Sequence, residues 1–193
     1  MKYFLDAALL KNVGLDSVKR VMEARGYKWT QRIPRQELQL AEEIWSLPDD
    51  RGAVRYVYDH FVDVPSIRAE SDIHGEPSKI LTDLDRDLTF LHTGALTKQA
   101  MSSSRERAYA LRALAASTER YHGGVIKAFK AAIKDPDPAI RALVLVCIGR
   151  YPAFALAQDL DDQAAVEPDP KIQQNQQALA KDLREHGKRG TLW

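Results

Sequence analysis

The chain has 193 residues, a net charge of +1, 45% hydrophobic residues and 28% charged ones. That balance describes a soluble globular chain of one domain or two small, tightly joined ones. It argues against a strongly basic nucleic-acid binder and against an acidic mimic.

In chain order, Met1-Lys2-Tyr3-Phe4-Leu5-Asp6 reaches an acid too early for a signal peptide. Asp16 and Ser17 are placed to cap a helix whose Val18, Val21 and Met22 share a face, and Gly26 is placed to end it. Tyr27-Lys28-Trp29-Thr30 reads as a connection. Pro34 suits a first helical position, with Leu38, Ala41, Ile44 and Trp45 following at helical spacing. Leu47-Pro48-Asp49-Asp50 is a break. Ala53, Val54, Val57, Tyr58 and Phe61 form the next stripe. Val54-Arg55-Tyr56-Val57-Tyr58 also fits a strand, and the continuation to Phe61 favours a helix. Residues from Val64 to Pro77 lack a period and read as a long loop or a boundary.

A short helix is expected after Pro77, with Ile80, Leu81, Leu84 and Leu88 facing in, and a break at Gly94. Ser103-Ser104-Arg105-Glu106 matches a capping box ahead of Ala108, Leu111, Leu114 and Ala115. Gly124 to Lys134 follows as a helix with Val125, Ile126, Phe129 and Ile133 inward. Asp137-Pro138 opens the next helix, which runs to Tyr151, and Ala153 to Ala165 forms its partner. Asp169-Pro170 opens the last helix, which runs to His186. The lone cysteine, Cys147, excludes an internal disulfide and reads as a small core residue in a reducing, cytoplasmic setting. No apolar run approaches the roughly 18 residues that a membrane helix needs.

Asp135-Pro136-Asp137-Pro138-Ala139-Ile140 returns as Glu167-Pro168-Asp169-Pro170-Lys171-Ile172. Repeated helix starts of this kind point to stacked helix pairs, which bury their apolar faces only against neighbours. The stretch from Ser103 to His186 resembles HEAT or HEAT-like repeats. The carriers are Asp137-Pro138-Ala139-Ile140-Arg141 and the close at Cys147-Ile148-Gly149. Arg107 with Ala110, Ala113 and Leu114 is a looser copy. Ile172 with Ala178, Leu179 and Ala180 is looser still, Gln173 standing where the arginine would be. The resemblance implies an all-α fold, a right-handed α-solenoid of HEAT-like helical hairpins with an irregular helical N-terminal part. The divisions expected are residues 1–100, 101–187 and a tail at 188–193. It also implies that Arg141 pairs with an Asp at the helix start of a neighbouring repeat.

No nucleophile elbow, phosphate loop or His-Glu-x-x-His motif is present. Asp59, His60 and Asp63 gather two carboxylates and an imidazole without a further ligand for a metal. Asp83, Asp85 and Asp87 begin like a calcium loop, but Leu88 and Gly94 stand where that loop needs glycine and glutamate. These acids read as surface groups, and no cofactor or metal is expected.

Charge is unevenly spread. Nine basic residues face four acids between Arg105 and Arg150, whereas Pro152 to Pro170 holds acids and no lysine or arginine. Lys127, Lys130 and Lys134 fall within about 60° of one another on a helix. They read as a ridge for an acidic protein partner, with Asp161 and Asp162 as a second patch. The expectation is therefore a non-enzymatic module that binds another protein through a concave groove. A nucleic-acid binder of the HEAT-like DNA-glycosylase kind and a bacterial toxin-neutralising immunity protein are the alternatives.

Overall fold

Five strands of the N-terminal half pair into one antiparallel sheet, which a computed structural model shows in the order β1-β5-β4-β3-β2. The residues described are 2–36, 40–103, 106–117 and 122–188, the side chains of 186–188 excepted. The fold is mixed α/β, so the all-α expectation and the HEAT-like solenoid are both overturned. The chain forms two compact units, one built on residues 2–92 and one carrying the helices from residue 93 onward.

In the first unit the strands are β1 (Tyr3–Ala8), β2 (Lys28–Ile33), β3 (Ala41–Ser46), β4 (Gly52–Asp59) and β5 (Val64–Ser71). Helix α1 (Leu15–Ala24) joins β1 to β2, and α2 (Glu76–Leu84) follows β5. Because directly paired residues of neighbouring strands share a face, the register sorts the side chains. Leu5 and Ala7 of β1, Ile67 and Ala69 of β5, Val54 of β4 and Trp45 of β3 point to one face. Val18 and Met22 of α1 and Ile80, Leu81 and Leu84 of α2 complete that core. Each of these large side chains contributes roughly 1.5–3 kcal/mol on burial.

The opposite face holds charge. Arg68 donates to Asp6 from Nε (2.8 Å) and Nη2 (2.9 Å), and its guanidinium lies over the Phe4 ring. Arg55 bridges Glu42 (2.8 Å) on β3 and Glu70 on β5. Arg55 and Arg68 are direct cross-strand partners, and these acids separate their like charges.

Four expected elements changed type. The helix expected from Pro34 through Trp45 is instead strand β3 from Ala41 onward, residues 34–36 and 40 lie in no helix or strand, and Leu38 is outside the described residues. The helical stripe from Ala53 to Phe61 is strand β4 and its turn. The loop at Val64 is β5, where Ile67 and Ala69 face the core between Arg68 and Glu70. The connection at Tyr27–Thr30 is largely β2. In the first two cases the pairing of neighbouring strands overrides the local helical spacing. The expected end of α1 is observed, with Gly26 at φ 71, as is the inward face of α2. Gly14 rather than Asp16 or Ser17 occupies the N-cap of α1.

The second unit contains α3 (Thr93–Ala100), α4 (Arg107–Ala116), α5 (Gly123–Ile133), α6 (Pro138–Arg150), α7 (Ala157–Ala164) and α8 (Pro170–Lys188). Helix α5 packs on α3 and α6, and α8 packs on α6 and α7. Leu111, Leu114, Val125, Phe129, Ile133, Val144, Ile148 and Leu160 are buried there, together with Cys147. Helix α4 starts after Glu106, so that residue does not occupy the third helical position of a capping box. Ser104 and Arg105 lie outside the described residues.

Candidate binding surfaces

The two acid-Pro-Asp-Pro segments build matching corners in the second unit. Asp135 accepts the backbone N–H of Asp137 (2.8 Å), and Asp137 in turn accepts that of Ala139 (2.8 Å) at the start of α6. Glu167 accepts the N–H of Asp169 (3.2 Å), and Asp169 accepts those of Lys171 (2.9 Å) and Ile172 (3.1 Å) at the start of α8. A proline after each cap suits the first helical turn, where its missing N–H costs nothing. The buried acid of each corner receives an arginine from an earlier helix. Arg107 pairs with Asp135, and Arg141 pairs with Glu167. Arg141 thus pairs with Glu167, two residues ahead of the cap Asp169, rather than with the helix-start aspartate that was expected.

Hydrogen bonds from Arg141 hold the Glu167 carboxyl below the usual carboxylate range, against the opposing effect of burial. The same bonds hold Arg141 firmly charged. Between the corners lies a shallow groove of about 740 Å³, lined by Lys134, Pro136, Pro138, Gln163, Pro168 and Pro170 among others.

The lysine ridge meets an acid of α7, but at Asp159 rather than at Asp161 or Asp162. Lys130 and Lys134 lie 2.9 and 3.5 Å from Asp159 of α7. Two of the three lysines thus already have a carboxylate in the same unit, while Lys127 is exposed on α5. Asp161 pairs with Arg184 of α8, and Asp162 accepts a hydrogen bond from Gln158 (2.7 Å). The expected patches are therefore largely internal ion pairs.

The other two acidic clusters serve turns. Asp59 accepts the N–H groups of Phe61 (2.9 Å) and Val62 (3.4 Å) in the β4–β5 hairpin. Tyr58 donates to Asp63 in the same hairpin, a bond that raises the phenol's pKa. Asp85 accepts the Phe90 N–H (3.0 Å), and Asp87 accepts from Arg25 (2.5 Å).

A further surface lies at the β2 margin of the sheet. The register places Trp29 opposite Trp45, and Arg32 opposite Glu43. A bulge at Thr30 puts Trp29 and Arg32 on one face although three positions separate them, and the Thr30 hydroxyl donates to the Ile44 carbonyl (2.9 Å). Glu43, only 6% exposed, accepts from the Trp29 indole (2.8 Å), and its other oxygen lies 3.4 Å from Arg32 Nε. One buried carboxylate thus orients both side chains. Trp29 is nevertheless 57% exposed, and the Arg32 side chain is 69% exposed.

No family model matches the chain, and neither a curated protein nor a solved structure matches it. The resemblance to HEAT-like repeats accordingly finds no support from family models, and it is withdrawn together with its solenoid groove.

Sequence reasoning placed Trp29 in a connection and passed over Arg32 and Glu43. A signal existed in the run Lys28-Trp29-Thr30-Gln31-Arg32-Ile33, which holds aromatic and β-branched residues at Trp29, Thr30 and Ile33. The bulge breaks its alternation, so the pattern fails at the position that makes the surface.

Proposed function

We propose that the protein acts by binding another protein, without catalysis, through the β2 margin of its sheet. The observation that carries this reading is Trp29, a large apolar ring held in one orientation by Glu43 yet more than half exposed. Tryptophan and arginine are the residue types that dominate binding energy at protein interfaces. Fixing them before encounter lowers the entropy lost on association. The near-neutral net charge of +1 favours a protein partner over a nucleic-acid backbone.

The setting we propose is a reducing cytoplasm, which suits the single buried thiol of Cys147. Among the described residues no helix is long and apolar enough to cross a membrane.

The test is site-specific photocrosslinking from Gln31, an exposed neighbour of Trp29, in native lysate. The expected result is a discrete protein adduct that disappears in the Trp29→Ala variant. An adduct pattern indifferent to Trp29→Ala overturns the reading.

A further inference from the structure

We infer that the partner supplies an extended acidic segment, which adds to the outer edge of β2 as a sixth strand and is gripped by Trp29 and Arg32. This inference rests on the protein-binding reading above and names the chemistry of the occupant.

The sheet order ends at β2, and among the described residues no strand pairs with its outer edge. Its six residues offer about 20 Å of backbone N–H and C=O groups, enough for strand addition. Every residue from Lys28 to Arg32 is exposed.

Charge decides which strand fits. Lys28, Arg32 and Arg35 are exposed on this segment, and the sequence has no acid between Glu23 and Glu37. Glu43 is the counter-charge on Arg32, and it sits inward of both anchors. The margin therefore presents positive charge outward. Acidic residues on both faces of an added strand would meet Arg32 on one face and Lys28 on the other. An apolar residue on the first face would cover the Trp29 ring.

The same charges disfavour the simplest competitor, a second copy of this chain. Two β2 strands pairing antiparallel would set lysines and arginines against lysines and arginines, and like charges across a strand pair destabilise it. Basic residues and a bulge are also the means by which sheets guard their edges against indiscriminate pairing. An acidic strand passes that guard, so the same residues give selectivity.

The test pans displayed random dodecapeptides on the immobilised full chain and measures an enriched peptide by fluorescence anisotropy. The expected consensus carries acidic residues on both faces of the strand and an apolar residue on the face that meets Trp29. Its affinity should fall roughly tenfold or more in Trp29→Ala and in Arg32→Glu. It should also weaken with added salt, and the bound peptide should slow amide hydrogen exchange across β2. Thermal melts of both variants separate a lost site from a lost fold.

No enrichment, a basic or neutral consensus, or binding indifferent to both substitutions overturns the inference. Self-association in sedimentation that Arg32→Glu alters also overturns it, in favour of a second copy. If these peptides fail while the Gln31 adduct still depends on Trp29, only strand addition falls and the protein-binding reading stands.

Discussion

Arg141 and Glu167 meet through two parallel hydrogen bonds, Nε to Oε2 and Nη2 to Oε1, each 2.7 Å long. The remaining Arg141 nitrogen donates to the carbonyls of Asp135 (2.8 Å) and Pro136 (3.0 Å). One guanidinium therefore ties the corner before α6 to the corner before α8. Both side chains are buried, Arg141 at 7% and Glu167 at 6% exposure. Removing one partner leaves the other charge without compensation. Glu167→Ala should cost about 3–5 kcal/mol in urea unfolding, and Arg141→Met combined with Glu167→Leu should recover much of that loss. A double variant no better than the single one would show that the corners need the ion pair itself.

The same pair sets an acid limit. Arg141 depresses the folded-state pKa of Glu167, so the unfolded chain binds a proton more readily there. The contribution is complete above the ordinary glutamate value of about 4.3 and disappears as pH falls through the folded value. Thermal melts from pH 7 downward should lose stability below about pH 4, and Glu167→Gln should flatten that part of the profile. A wild-type slope matched by Glu167→Gln would assign the acid sensitivity to other carboxylates.

Asp137 and Asp169 each accept N–H groups at a helix start. Asp137→Ala and Asp169→Ala should each cost about 1 kcal/mol by chemical denaturation. Asparagine, which keeps an acceptor oxygen, should restore most of it.

Asp159 holds Lys130 and Lys134 at a partly exposed site. Asp159→Asn should cost no more than about 1 kcal/mol, and the difference from wild type should shrink in 0.5 M salt, on the order of several times physiological ionic strength. A larger, salt-independent loss would show that Asp159 acts through packing.

Gly52 has no room for a side chain, because an added Cβ would run into the Glu70 carbonyl oxygen on β5. Gly52→Ala should destabilise the protein by about 1–3 kcal/mol, the range for overpacked positions. A neutral substitution would show that β4 and β5 can separate slightly without loss.

These features differ in how far the sequence revealed them. Asp137-Pro138 and Asp169-Pro170 announce helix starts because capping is local chemistry, confined to a few neighbouring residues. That Arg141 would pair with an acid came from the HEAT-like resemblance, but the sequence pointed to a helix-start aspartate and not to Glu167. The sheet was not. Val54 to Tyr58 fits a strand, but a stripe that continues to Phe61 favoured a helix by spacing. What decides between them is Trp45 against Val54 on one side and Ala69 on the other, contacts remote in sequence. The β2 margin was hidden further by its bulge. Glu43 drew no attention in the sequence, and its role appears only when β3 lies beside β2. The pairing of Lys130 and Lys134 was hidden for a related reason, since helical spacing groups the lysines but is silent about Asp159 on another helix.

The order of strands in the sheet also bears on how the chain assembles. β1 leaves the ribosome first, yet its only paired neighbour among the named strands is β5, the last to be made, with Tyr3 finding Ser71. The four-stranded meander from β2 to β5 forms through successive local hairpins, while closing β1 onto β5 spans almost the whole unit and is the slow, long-range step. Until that closure the apolar side of β5 is a vulnerable template, and mutations that delay it should show first as poor yield during translation.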